Sequence, residues 1–485
     1  MLGRQRSTRL SLRRLAALVV SGGLLAGGLA GAAPASASTP VNVIVQGSSV
    51  GAVQTLVSTA GGHTVRSLPL VDGVLAQVPS STALNLLNTL GLVTSPDAPI
   101  AVDGLVGELP ANAPASSNTF RDSTGATQLA ASGITGAGVG VAVLDTGISP
   151  LPDFGNRLLG GVDFSGAGNP LQDSYGHGTF VAGLIAGDGS SSGGAYAGEA
   201  TGANLVSVKV AGATGVTDLA RVIQGVQWAI NNRTAYGIKV LNMSLGEVPT
   251  GPSQFNPLDQ AVEAAWQSGI TVVTSAGNSG PGQGTITSPG DDPAVVTVGA
   301  LNDGATASTS DDSIPSFSSQ GPTSANGWLK PDLVASGQSV VSLRAPGSYI
   351  DQTYPGAEVG NSGFVGSGTS FSSAIVSGAA ALVAQQNAGA TPDEIKGRLL
   401  ATAAPGPTGD PTLEGHGDLD AYDAATCPPV TLNQHGFLRI AIPALPGVTI
   451  PLNPMWAASS WNAANYSAKV TASAWNASAW NASAW

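Results

Sequence analysis

Two hydrophobic periods alternate along the chain. Between residues 41 and 102, Val41–Gln46 and Ala76–Val78 carry the apolar character of strands, and Gly51–Ala60 and Ser81–Leu90 that of short helices. A strand-helix-strand-strand-helix-strand order fits this stretch. Further on, Gly138–Asp145 and Asn204–Val210 are apolar runs of strand length. Thr217–Asn231 places Leu219, Val222, Ile223, Val226, Ala229 and Ile230 on one helical face. Ile238–Leu245 reads as the next strand, and Ile270–Ala276 and Ala294–Gly299 add two more. Asn256-Pro257 opens an intervening helix and Gly269 stops it, by N-cap, first-turn proline and trailing glycine. Thr391-Pro392-Asp393-Glu394 is a capping box for a late helix. Strands apolar throughout, alternating with amphipathic helices, imply an α/β fold: a doubly wound, mostly parallel sheet with helices on both faces. Ligands of such sheets bind beyond the carboxyl ends of the strands.

Composition narrows the function classes. Apolar residues make up 42% of the 485 and charged residues only 10%, a balance for a large core and against a disordered chain. Net charge is −12, and five of the 18 basic residues (Arg4, Arg6, Arg9, Arg13, Arg14) precede the first apolar run. Without them, 13 basic side chains face 30 acidic ones. That surface repels phosphate backbones, so nucleic acid is excluded as a partner. The basic start, the apolar stretch Leu15–Ala33 and Ala35-Ser36-Ala37 form an export signal over residues 1–37, with a secreted, extracellular or wall-associated destination. A single cysteine, Cys427, excludes an internal disulfide framework.

Three segments carry chemistry. Asp145 ends the strand Val141-Ala142-Val143-Leu144-Asp145-Thr146-Gly147. His177 opens a helix in His177-Gly178-Thr179-Phe180-Val181-Ala182-Gly183. Ser370 sits in Gly366-Ser367-Gly368-Thr369-Ser370-Phe371-Ser372-Ser373, just ahead of an Ala-rich helix. A neutral hydroxyl is a poor nucleophile and needs an imidazole to take its proton. The imidazole needs a buried carboxylate to fix its tautomer and stabilise its charged form. Between residues 103 and 415, His177 is the only histidine. It is therefore the one general base that this stretch offers.

The three segments resemble the Asp, His and Ser signatures of the subtilisin-like (subtilase) family, in that family's order, and the resemblance spans about 120 to 405. It implies a subtilisin-like fold and a serine endopeptidase with Asp145, His177 and Ser370 as its triad. Ser275-Ala276-Gly277-Asn278 resembles the family segment whose Asn donates to the oxyanion, which gives Asn278 that role beside the backbone N–H of Ser370. Ser244-Leu245-Gly246 resembles the edge that pairs with substrate as an added strand, and Ala276 and Gly277 line a roomy apolar pocket for the residue before the cut. One departure is Ala374, where the family usually has proline; the expectation is a small change in helix entry. Residues 38–105 resemble the family's ferredoxin-like propeptide, an inhibitor and folding aid. The linker Asp103-Gly104 through residue 118, with Pro110 and Pro114, suits cleavage. The catalytic domain then covers 106–424.

No cofactor is needed for this catalysis, though structural calcium is compatible with the family. Asp153, Asp163, Asp173, Asp291, Asp292, Asp311 and Asp312 offer oxygen ligands, but in no spacing that makes a site. Protein or peptide substrates and the chain's own propeptide are the expected partners. Residues 425–485 form a proline-containing tail ending in Trp475, Trp480 and Trp485, five apart. Two readings of it stay open: a low-complexity tail trimmed after export, or exposed indoles that contact a cell wall or another surface. Two rival functions also remain: a silent binding protein on the same scaffold, and acyl transfer to an amine.

Overall fold

The computed structural model describes residues 40–102 and 118–430. The export signal (1–37), the linker up to residue 117 and the tail from 431 onward lie outside the described residues.

The first body is built from strands Val41–Gln46, His63–Leu68, Gly73–Val78 and Val93–Pro96, with helices Val50–Thr59 and Ser81–Thr89. The strands pair antiparallel in the order second, third, first, fourth. Period-two alternation splits its side chains between two cores. Val43, Val45, Val74 and Ala76 pack with Val53, Val57 and Leu87 of its own helices. Ile44 and Leu75, pointing the other way, join the core of the second body. The small sheet is thus a wall shared with its neighbour.

The second body holds a seven-stranded parallel sheet in the order 333–336, 296–301, 271–275, 238–243, 140–145, 204–209, 158–163. Every residue of the interior strand Gly140–Asp145 is buried, as a strand covered on both faces requires. Chain order turns back at this strand, so the crevice at its carboxyl end is the fold's natural ligand site. The helix expected over Thr217–Asn231 starts at Leu219, because Val216–Asp218 pairs as an edge strand and Asp218 caps the helix through Arg221 N at 2.8 Å. The strand expected through Leu245 leaves the sheet after Met243, and Leu245–Gly246 turns to pair with another segment. Asn256 caps the helix Pro257–Gln267, and Thr391 caps Pro392–Ala401. Ser370 lies inside the first turn of the helix Thr369–Gln386, not ahead of it. That helix passes Ala374 without a break. Among the described residues, no helix is long and apolar enough to cross a membrane.

Candidate active site

Asp145, at the end of the strand Gly140–Asp145, and His177, at the start of helix His177–Ala186, face each other. His177 Nδ1 lies 2.9 Å from both Asp145 oxygens, and both side chains are buried. A carboxylate only accepts, so Nδ1 carries the proton and Nε2 is left as the basic nitrogen. The strand and helix come this close because position 178 is glycine: a Cβ there would lie 2.2 Å from the carbonyl oxygen of Gly147. Asp145 Oδ1 also accepts from Thr146 N at 2.7 Å. Asp173 fastens the same corner. Its buried carboxylate accepts from Thr146 Oγ1, Gly176 N, Thr179 N and Thr179 Oγ1 at 2.7–2.8 Å. Burial pushes the Asp173 carboxyl above its usual range despite these donors.

Ser370 enters from the third element. Its Oγ lies 3.3 Å from the carbonyl oxygen of Ser244, and its position in the first helical turn leaves its backbone N–H outside the helical ladder. Ser244 Oγ donates to the carbonyl of Ser370 at 3.0 Å and accepts from Asn242 Nδ2 at 2.9 Å. Ser377 Oγ donates to Asn242 Oδ1 at 2.9 Å. This buried chain of hydroxyls and an amide locks the helix start to the sheet.

Asn278 is held by the residue before the serine. Its Oδ1 accepts from Thr369 N at 2.9 Å and Thr369 Oγ1 at 3.1 Å. Thr369 Oγ1 accepts in turn from Gly277 N at 3.1 Å. With its oxygen engaged by Thr369, the carboxamide presents its NH₂ elsewhere. Ala276 is fully buried, its N–H donated to Val298 and its C=O accepting from Thr287 N. A Cβ on Gly246 or Gly277 would meet the Thr287 side chain within 3 Å. A threonine therefore stands against both glycines, and the pocket that the small residues suggested is not purely apolar.

Leu245 and Gly246 do pair with an added strand, and it comes from this chain. Pro99–Val102 lies antiparallel between Leu245–Gly246 and Val216–Asp218, with Val102 opposite Leu245 and Ala101 opposite Gly246. Ile100 and Val102 are buried there, while Pro99 and Ala101 face outward.

Of the carboxylates considered for calcium, some already hold protein donors. Asp153 accepts from Ser191 N and Oγ, and Asp163 from Ser165 and Asn169. Asp291 and Asp292 crowd Asp259; burial and the charge of Asp292 push Asp291 up to about 7, and burial pushes Asp292 up to about 6. Where backbone carbonyls do converge, an ammonium already stands. Lys396 Nζ donates to the carbonyls of Pro293, Ala294 and Val295 at 2.8–3.3 Å, with Asp332 3.3 Å away. Among the described residues, no three His, Cys, Asp or Glu side chains gather as a metal-ligand set.

Residues 136–417 match the family model described as the subtilase family. The chain is 45% identical over 296 residues to serine protease AprX of Bacillus subtilis, covering 60% of this chain and 67% of that one. It is 38% identical over 294 residues to subtilisin Savinase of Lederbergia lenta, covering 61% and 93%. Fervidolysin from Fervidobacterium pennivorans, described as a keratinolytic enzyme related to subtilisin, superposes with a TM-score of 0.62 at 22% identity over 83% of this chain and 63% of that one, a likeness of fold.

Proposed function

The chain belongs to the subtilase family of serine proteases, and from that premise we propose that Ser370, His177 and Asp145 carry out its peptide-bond hydrolysis in an exported, self-processed precursor. Ser370 Oγ attacks the substrate carbonyl as its proton passes to His177 Nε2. The imidazolium that forms is stabilised by Asp145 across two 2.9 Å contacts. The negative oxygen of the tetrahedral intermediate is met by the Asn278 NH₂ and the Ser370 backbone N–H, donors fixed before charge develops. His177 then returns the proton to the leaving amine, and water releases the acyl group by the same steps in reverse order.

The observation that carries this reading is the docked strand. Pro99–Val102 adds to Leu245–Gly246 as a peptide substrate would, and Leu245 follows Ser244, whose carbonyl lies 3.3 Å from Ser370 Oγ. This docking supports residues 38–105 as an inhibitory propeptide that occupies the substrate edge up to Val102. Self-cleavage there, after export directed by residues 1–37, gives the mature enzyme. Expression of Ser370→Ala in a protease-free system tests this: the variant accumulates uncleaved while the wild type matures. Efficient maturation of the variant refutes self-processing.

A further inference from the structure

We infer that Asp173 is a positioning residue for the catalytic base: it stays a buried carboxylate, caps the helix that His177 opens, and keeps the imidazole basic enough to take the Ser370 proton. The inference rests on the function proposed above, because it concerns how His177 performs that step.

Asp173 is 4% exposed, yet its carboxylate is fully engaged. Oδ1 accepts from Thr146 Oγ1 at 2.8 Å, Gly176 N at 2.7 Å and Tyr175 N at 3.2 Å. Oδ2 accepts from Thr179 N at 2.8 Å and Thr179 Oγ1 at 2.7 Å. Both hydroxyls are oriented by what they accept in turn: Thr146 Oγ1 takes Gly178 N at 2.9 Å, and Thr179 Oγ1 takes Ser149 N at 3.0 Å. Burial favours the neutral acid. A neutral carboxyl, however, needs an acceptor for its proton, and each of these neighbours is placed as a donor. Donors that all serve the charged form hold Asp173 ionised.

That charge stands at the end of the helix where it matters most to the base. Helix His177–Ala186 begins at the base itself, so the partial positive charge of its free N–H groups falls beside the imidazole. A helix N-terminus opposes protonation of a histidine placed there. The N-cap residue is Gly176, which has no side chain to offset this field. Asp173 supplies the anion from the preceding loop. It binds Thr179 N directly, Gly178 N through the Thr146 hydroxyl, and Gly176 N on the other side of the base. Its charge therefore adds to that of Asp145 in favouring the imidazolium.

No other group packed around the base replaces it. Tyr175 is a phenol kept neutral chiefly by burial. Arg344, which lines a small cavity with Gly176 and His177, is paired with Asp351 and Glu358. Lys209, beneath Gly147, donates its ammonium to the carbonyl of Gln172. The helix of Ser370 brings the Phe371 ring, 5.7 Å from the imidazole between centroids, and no acid in its first turn.

The test is the acid limb of kcat/KM against pH, measured on purified mature enzyme with an uncharged peptide. That limb reports proton loss from the base of the free enzyme. Asp173→Asn, of equal size but uncharged, should move the limb down by at least about 0.5 pH unit, because losing a negative charge lowers the pKa of an imidazolium. Asp173→Glu, which restores the charge, should recover most of that shift. Thr179→Val takes one donor from the carboxylate and leaves its charge, so it should lower the urea midpoint while the limb stays within about 0.2 unit of wild type. An active Asp173→Asn enzyme with an unmoved limb overturns the inference. So does a limb moved by about 0.5 unit or more in Thr179→Val, since a loosened corner and not a charge would then set it, and this holds even where Asp173→Asn is not recovered folded. Both results leave the peptidase reading intact. Wild-type protein that cleaves no peptide and whose Ser370 resists a fluorophosphonate overturns the peptidase reading, and this inference with it.

Discussion

Replacing Thr369 with valine removes one hydroxyl from the active site and leaves its shape unchanged. That hydroxyl gives Asn278 one of two bonds to its Oδ1, at 3.1 Å, and accepts from Gly277 N at 3.1 Å. The other bond to Asn278, from Thr369 N at 2.9 Å, survives. Losing the amide donor altogether costs an oxyanion site about 2.7–4 kcal/mol, or 10²–10³ in turnover. Halving the restraint on its orientation costs about 0.5–1.5 kcal/mol, the net worth of one hydrogen bond. Turnover of Thr369→Val should thus fall about 2- to 12-fold with KM within about twofold, since the loss is felt only as negative charge develops. The stranded Gly277 N–H adds about 1–3 kcal/mol of destabilisation, visible in urea titration. Thr369→Ser, which keeps the hydroxyl, should restore most of the turnover. The sharper assay is a double-mutant cycle: with Asn278→Ala already in place, Thr369→Val has no amide left to orient and should cost little further turnover. Equal losses in both backgrounds would refute the claim that Thr369 acts through Asn278.

Two further expectations follow from buried side chains. Burial raises the Glu199 carboxyl to about 8 from an ordinary 4.5, opposed by the Thr124 hydroxyl at 2.8 Å and the charge of Arg121. The unfolded chain loses this proton near 4.5 and the folded chain keeps it to about 8, so stability falls as pH rises through that window, by about 1.4 kcal/mol per pH unit. Glu199→Gln should therefore gain on the wild type by about that slope between pH 5 and 7, and parallel stability curves would contradict it. Ile100 is fully buried in the docked strand, where it would anchor the proposed propeptide. Ile100→Ala should weaken inhibition by the cleaved propeptide at least about 30-fold, from a truncation worth about 2 kcal/mol or more; an unchanged lag before activity appears would show that the strand does not hold the inhibitor.

Much of this site could be read along the chain because its chemistry sits on local punctuation. An aspartate must end a buried strand, and a histidine and a serine must open helices, so each comes with a flanking pattern that a single sequence displays. What sequence reading missed is non-local. Nothing around Pro99–Val102 says that it pairs with Leu245–Gly246, about 144 residues on, because edge pairing uses backbone groups that every residue has. Thr369 and Asp173 were hidden for a related reason. One lies beside the nucleophile and the other among possible calcium ligands, and only the fold shows that one orients Asn278 and the other anchors the histidine helix. The cation question shows the same limit: Lys396 reaches the carbonyls of 293–295 from a helix about 100 residues away. The helix start at Leu219 and the strand end at Met243 shifted because those segments break off to frame the cleft.

The central claim is that Ser370 is the nucleophile, made reactive by His177 and Asp145. Its most direct test is active-site labelling of purified mature enzyme with a fluorophosphonate, followed by mass spectrometry of the modified peptide and assay of residual peptidase activity. The account predicts one label per chain, on Ser370, with activity lost in proportion to labelling. Labelling at another residue, or full peptide hydrolysis by enzyme whose Ser370 is completely modified, would contradict it.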